Sequence, residues 1–233
     1  MTTALPDAAV LAWWCTAWLR GQVVTDLLLD AVGQGRPEGL LDLLVEVRRA
    51  GATGAGLALP VDGDPLGLGG PPAFNTAALE AGSAVVFVGA RTGLVPLADS
   101  DGPDWRRFVA EQRQLPDVGE ADRALRQALT TTASALADLD VARWRPEVAD
   151  ELMDLRRPRP LDPPPPGTPP VCARLAVHGL QATRIVELAL DDHGAAVSAY
   201  EIATRRDALR PLEQAARRAL VAACSPEVWP PAG

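Results

Sequence analysis

The 233-residue sequence contains no lysine; all 22 of its basic residues are arginine. Schiff-base catalysis and the phosphate grip of a Walker loop both need a lysine amine, so neither chemistry is open to the chain. Histidine is nearly as scarce, with only His178 and His193, which leaves hydrolytic triads and two-histidine zinc sites almost without bases or ligands. Asparagine occurs once, at Asn75, and isoleucine only at Ile185 and Ile202. Codon usage in a GC-rich genome accounts for this pattern, and the exclusions hold whatever its origin.

Concentrated positive charge is also missing. The net charge is −8, and the arginine pairs at 48–49, 106–107, 156–157, 205–206 and 217–218 are scattered, as expected of solvated helix surfaces. Without massed cations to release counterions from phosphates, nucleic acid is not an expected partner. Cys15, Cys172 and Cys224 lie far apart, form no CxxC and sit in apolar surroundings, so they read as reduced core residues. No basic segment precedes the apolar run Ala8–Leu19, and that run is too short to span a bilayer, so no membrane role and a cytoplasmic setting are expected.

Apolar residues make up 48% of the chain, enough for a full core. Residues 1–50 read as three helices, Pro6–Leu19, Val23–Val32 and Leu40–Arg49, each followed by a glycine stop. Three short apolar runs then predict strands at Gly56–Leu59, Ala84–Val88 and Leu94–Leu97, with Pro96 placing the last at a sheet edge. A short helix, Thr76–Ala81, lies between the first two. The shared face of Trp105, Phe108 and Val109 predicts a helix over Trp105–Arg113. Asp117 and Glu120 form a capping-box pattern before a long helix to about Val141, with a seam at Leu125, Leu129, Thr132, Leu136 and Leu139.

A helix at Pro146–Arg156 follows, then a proline-rich linker at 157–170, in which Thr168 is the expected N-cap and Pro169 the first-turn residue. The last two helices are Pro169–Leu190 and Ser198–Cys224, the second expected to kink or split at Pro211. The fold class is therefore α+β and predominantly α-helical: N-terminal helices with a small three-strand sheet in residues 1–115, followed by an antiparallel helical bundle in 116–233, either as two domains or as one continuous one.

The stretch LALPVDGDPLGLGGPPAFNTAALEAG concentrates glycines, prolines and two carboxylates just after a strand. Asp62, Gly63, Asp64 and Asn75 are the ligand-site candidates there, against the reading that Asp and Gly form a tight turn and Asn75 caps the short helix. The order GLGGPP lacks GxGxxG spacing, which argues against dinucleotide binding. Asp99, Asp101 and Asp104 resemble a fragment of a calcium loop without its remaining ligands, and Asp104 reads as a helix cap. No cofactor, metal site or catalytic residue is assigned. Trp13, Trp14 and Trp18 on an almost wholly apolar helix mark either the core or an interface with a second copy or another protein.

The segment LPVDGDPLGLGGPPAFNTAALEAG, together with the alanine- and arginine-rich C-terminal helices, resembles the uncharacterised protein families of GC-rich actinobacteria, a likeness that implies no activity. Two functions follow from the residues. The first is a non-enzymatic protein-interaction or regulatory module; the second is a small-molecule- or metal-binding protein or enzyme with its site in the loop 60–75.

Overall fold

The computed structural model describes residues 5–33, 37–99, 102–111, 113–138, 163–191 and 199–231. Three helices, α1 (Asp7–Leu19), α2 (Thr25–Val32) and α3 (Pro37–Arg49), lead into β1 (Gly54–Ala58). Then come α4 (Pro72–Ala81), β2 (Ala84–Val88), β3 (Thr92–Asp99) and β4 (Gly102–Val109). The remaining helices are α5 (Val118–Asp138), α6 (Pro170–Asp191) and α7 (Ala199–Ala223), with a 3-10 turn at Pro226–Val228. The class is α+β, with a four-strand antiparallel sheet in the order β1-β2-β3-β4 in place of the three strands expected.

The additional strand is β4, where a helix was expected. Trp105 and Phe108 stand three apart, which on a helix is one face but on a strand is two. Trp105 enters the main core that also holds Leu94 and Leu57, whereas Phe108 packs on the opposite face, its ring centroid 6.1 Å from that of Phe74. Two aromatics and a valine within Trp105–Val109 favour the pleated state, and the eight-residue register with β3 supplies the ladder.

Pro96 does not make β3 an edge strand, for a reason visible in the register. The Ala110 N–H donates to the Arg91 carbonyl at 3.1 Å, so the hydrogen-bonded pairs of the β3–β4 ladder alternate through Gly93↔Phe108, Val95↔Arg106 and Leu97↔Asp104. Pro96 falls between these pairs and turns its nitrogen toward the β2 side, where pairing has already ended at Val85↔Leu94. No ladder bond is lost. The same alternation turns Pro103 and Trp105 outward on β4; Pro103 has no N–H, and the Trp105 N–H donates to the Asp104 carboxylate at 3.0 Å. Asp104 thus occupies a strand-edge donor instead of capping a helix, and the edge is blunted against further strands.

The sheet's two faces differ in side-chain size. One carries Ala55, Leu57, Val85, Phe87, Leu94 and Trp105 against α1, whose buried residues surround the helix and place it inside the core. The other carries Val86, Val95 and Phe108 interspersed with Gly54, Gly56 and Gly93, which let cover come close. A Cβ on Gly93 would lie 2.5 Å from the Phe74 ring, and one on Gly54 2.8 Å from Pro226. On this face α4 and the chain after β4 form the cover.

In the C-terminal half α7 packs against both α5 and α6. Leu125, Leu175, Ala182, Val186, Leu209, Leu212, Ala216 and Leu220 are buried in the same core as α1. The Glu120 N–H donates to Asp117 Oδ1 at 3.0 Å, the expected cap of α5. At α6 the expected cap is displaced. The Thr168 hydroxyl turns back to the Pro165 carbonyl at 2.9 Å, while the Pro169 carbonyl accepts the first helical bonds and Pro170 opens the helix. Pro211 does not split α7, which runs unbroken through it with the proline ring facing solvent. Leu139, the helix expected at Pro146–Arg156, residues 157–162 of the linker, His193 and Ser198 lie outside the described residues.

Restoring two outward donors on β4 tests the blunted edge. The double variant Pro103→Thr, Asp104→Ala is expected to self-associate through β4, seen as concentration-dependent early elution in size-exclusion chromatography. Elution at the wild-type volume at every concentration would remove edge protection as the role of these two residues.

Candidate functional site

The loop between β1 and α4 folds back onto β1. The Leu59 N–H donates to the Leu66 carbonyl at 3.2 Å, and Val61 and Asp64 exchange both backbone bonds at 3.0 and 2.9 Å across a two-residue tip, Asp62-Gly63. Gly63 has φ +79°, the left-handed region where glycine carries no Cβ penalty. Gly67 has φ +81° and lies so near β1 that a Cβ there would sit 2.9 Å from the Leu57 carbonyl oxygen. Asn75 Oδ1 accepts from the Gly70 N–H at 3.0 Å and closes the far end of the loop.

Two arginines from distant parts of the chain clasp this loop. Arg113, with a side chain only 3% exposed, donates from Nη1 to the carbonyls of Leu57 at 2.7 Å and Gly67 at 3.1 Å. Its Nη2 and Nε both reach Glu227 Oε1, at 3.0 and 3.1 Å, and Nη2 also reaches the buried Ser225 hydroxyl at 3.3 Å. Those contacts engage all five of its N–H groups. Burial lowers the Arg113 pKa, and the charge and hydrogen bonds of Glu227 raise it back toward the ordinary guanidinium value. On the other side Arg217 of α7 donates to the Leu59 carbonyl at 3.0 Å and to Asp64 Oδ2 at 2.9 Å. Its Nε is buried with no partner among the described residues.

The four candidate residues are thus divided between different tasks. Asp62 and Gly63 stand exposed at the tip, Asp64 is paired with Arg217, and Asn75 lies inside α4. The reading of Asn75 as an N-cap is corrected: α4 opens earlier, behind Pro71, because Pro72 suits the first helical turn. Trp13 and Trp18 are buried within the chain's own fold and Trp14 is half-buried. The Trp13 indole donates to the Ala223 carbonyl at 3.0 Å, and the Trp18 indole to the Thr25 hydroxyl at 3.1 Å. Arg113, Arg217, Ser225 and Glu227 are the site residues that sequence reasoning missed. One signal for them existed in Gly56, a glycine inside an apolar strand, where a Cβ would lie 1.9 Å from Arg113 Nη2.

Beside the clasp an open cleft of about 590 Å³ lies over the end of β2, with Val86, Val88, Ala110 and Leu115 as apolar walls and Arg91, Glu111, Arg113 and Glu227 as charged ones. Arg91 and Glu111 form an exposed ion pair at 3.4 Å. Among the described residues no three His, Cys, Asp or Glu side chains are grouped to hold a metal ion. The three thiols are buried and free. Burial pushes Cys172 up to about 11 and raises Cys15 and Cys224 further, so all three stay protonated and unreactive near neutrality. His178 is exposed on α6. No helix among the described residues is long and apolar enough to cross a membrane.

Both halves of the chain match family models. Residues 8–121 match the family model of the Rv1486c-like protein, N-terminal domain, and residues 119–221 that of the Rv1486c-like protein, C-terminal domain. The two matches follow one another and together span residues 8–221, so the chain belongs to the Rv1486c-like proteins. Neither description names an activity. No curated protein and no solved structure matches the chain.

The two aspartates of the loop are expected to behave differently. Asp64→Ala leaves a largely buried guanidinium without its carboxylate and should cost about 1–3 kcal/mol in chemical denaturation. Asp62→Ala, at an exposed tip, should stay within about 0.5 kcal/mol of wild type. Equal effects would show that the Arg217 contact does not hold the loop. Iodoacetamide at pH 8 is expected to leave the native chain unlabelled and to modify all three cysteines in denaturant; rapid native labelling would contradict the buried thiols.

Proposed function

We propose that this Rv1486c-like chain is a non-enzymatic protein-interaction or regulatory module whose recognition element is the clasped loop. The observation that supports the reading is the clasp itself. Arg113, Arg217 and Asp64, the strongest chemical groups around the loop, are engaged with its own backbone and with each other. What faces outward is the tip: Val61, 37% exposed, followed by Asp62 and Gly63. A loop held in one shape by buried contacts binds without the entropy cost of ordering itself, which favours recognition over chemistry. Its partner on this reading is a second copy or another protein, met in the cytoplasm, where the three thiols stay reduced. The same proposal keeps residues 116–233 as an antiparallel helical bundle that carries the loop through Arg217 and shares its core with residues 1–115 as one continuous domain.

A second reading, a small-molecule-binding protein, is favoured by the cleft beside Arg113. The two readings differ in what is bound, and the second leaves room for an enzyme.

Sedimentation and stoichiometric capture with the full-length tagged chain test the first. Wild type is expected to self-associate or to retain one stoichiometric partner, and a Val61→Ala, Asp62→Ala tip variant with an unchanged melting curve is expected to lose that association about tenfold or more. A chain that stays monomeric without a stoichiometric partner overturns the module, and association that survives in the tip variant removes the loop from it.

A further inference from the structure

The cleft beside the clasp has a one-sided chemistry. Its four charged groups sum to zero, but their free hydrogen-bonding capacity does not. Arg113 has every N–H engaged, so the deepest cation offers nothing to a ligand. Glu227 uses Oε1 for both of its bonds to Arg113, and its Oε2 has no partner among the described residues. Glu111 likewise takes Arg91 on Oε1 alone. The only cation of the cleft with donors to spare is Arg91, whose side chain is 78% exposed at the rim, where it pairs with Glu111. Glu111, with a half-exposed side chain, stands at the rim beside Arg91, and deeper in Glu227 presents a free acceptor near the apolar surface of Val86, Val88, Ala110 and Leu115.

An anion brought into this space would meet two carboxylates and, among the charged side chains of the cleft, unengaged donors only on Arg91. A cation would meet both, within a chain whose net charge of −8 already favours cations. The volume, about 590 Å³, is that of a small-ligand site, and such sites combine mostly apolar walls with a few placed polar groups.

We infer that this cleft binds a small organic cation, a primary amine carried on an apolar body, with the ammonium between Glu111 and Glu227 and the body against Val86, Val88 and Leu115. The inference rests on the reading of the chain as a binding protein and names the ligand class for its cleft.

Calorimetric titration of the full-length chain with phenethylamine, 2-phenylethanol and 3-phenylpropanoate separates charge from apolar contact. Saturable single-site binding of the amine is expected, with a rise in melting temperature, about tenfold or more weaker binding of the alcohol and none of the carboxylate. Glu111→Gln and Val88→Trp, neither of which touches the Arg113 network, should each weaken the amine about tenfold or more. Equal affinity for the three probes, preference for the carboxylate, or no saturable amine binding overturns the assignment. Full affinity in the Glu111→Gln variant overturns the cation role, and full affinity in Val88→Trp moves the site elsewhere. Mass spectrometry of the amine after incubation keeps the two proposals apart. Consumption of the amine contradicts the non-enzymatic reading while leaving the cleft assigned, whereas failure to bind removes the cleft and leaves the module standing.

Discussion

The buried guanidinium of Arg113 is the contact on which the organisation of this face of the sheet depends. It joins four stretches of chain that are remote in sequence: β1 through Leu57, the loop through Gly67, the segment after β4 that carries it, and the C-terminal turn through Ser225 and Glu227. A charge taken out of water is costly unless its hydrogen bonds are complete and an opposite charge lies beside it. Both conditions are met here. That completeness also makes the contact exacting, because removing one partner of such a buried pair leaves an uncompensated charge, a loss of roughly 3–5 kcal/mol.

The space for Arg113 comes from the backbone of β1, where Gly56 leaves the hole that the guanidinium fills. The same device recurs along this face. Gly54 admits Pro226 and Gly93 admits Phe74, so three glycines flatten one side of the sheet while the other side carries Leu57, Phe87, Leu94 and Trp105 against α1. Glycine in a strand sacrifices side-chain packing and backbone entropy. Here the loss is offset by what comes close: a buried ion pair, an aromatic ring and the end of the chain. The outer edge of β1 is closed in the same region by the Leu57 N–H, which donates to the Cys224 carbonyl at 3.2 Å at the end of α7. One sheet edge is thus covered by the C-terminus and the other is blunted by Pro103 and Asp104.

Much of the element order was legible because it depends on local signals. Glycine stops, apolar stripes and the Asp117 cap locate helices with little reference to the rest of the fold. β4 was not legible, since Trp105 and Phe108 satisfy helical spacing and strand alternation is hidden when both faces of a sheet take an aromatic. Pro96 misled because the effect of a strand proline is set by where its missing N–H points, which register decides; Pro211 lies in a helix that continues through it with the ring exposed. The loop was recognised as special, and its glycines at 63 and 67 do require the conformations that glycine permits. Its ionic partners were not, because Arg113 and Arg217 lie far from it in sequence and look like any other arginine on an amphipathic helix.

The absence of lysine gives this arrangement a further meaning. Arginine's planar fork can bridge two carbonyls and a carboxylate at once, and it holds its charge when desolvated, whereas a lysine ammonium offers three donors from one point and loses its proton more readily when buried. A chain whose cations are all arginine is therefore suited to tying backbone segments together and has no amine for Schiff-base catalysis. Arg113 and Arg217 express that bias in geometry. Each ends on main-chain carbonyls of the loop, so the loop's shape is set from the crossing segment and from α7 together. A movement of either that breaks its bonds must release the loop, and a ligand that favours the bound loop must in turn favour the packed position of both. On the proposed reading, regulation through this loop is a matter of linked packing equilibria between the sheet and the C-terminal helices.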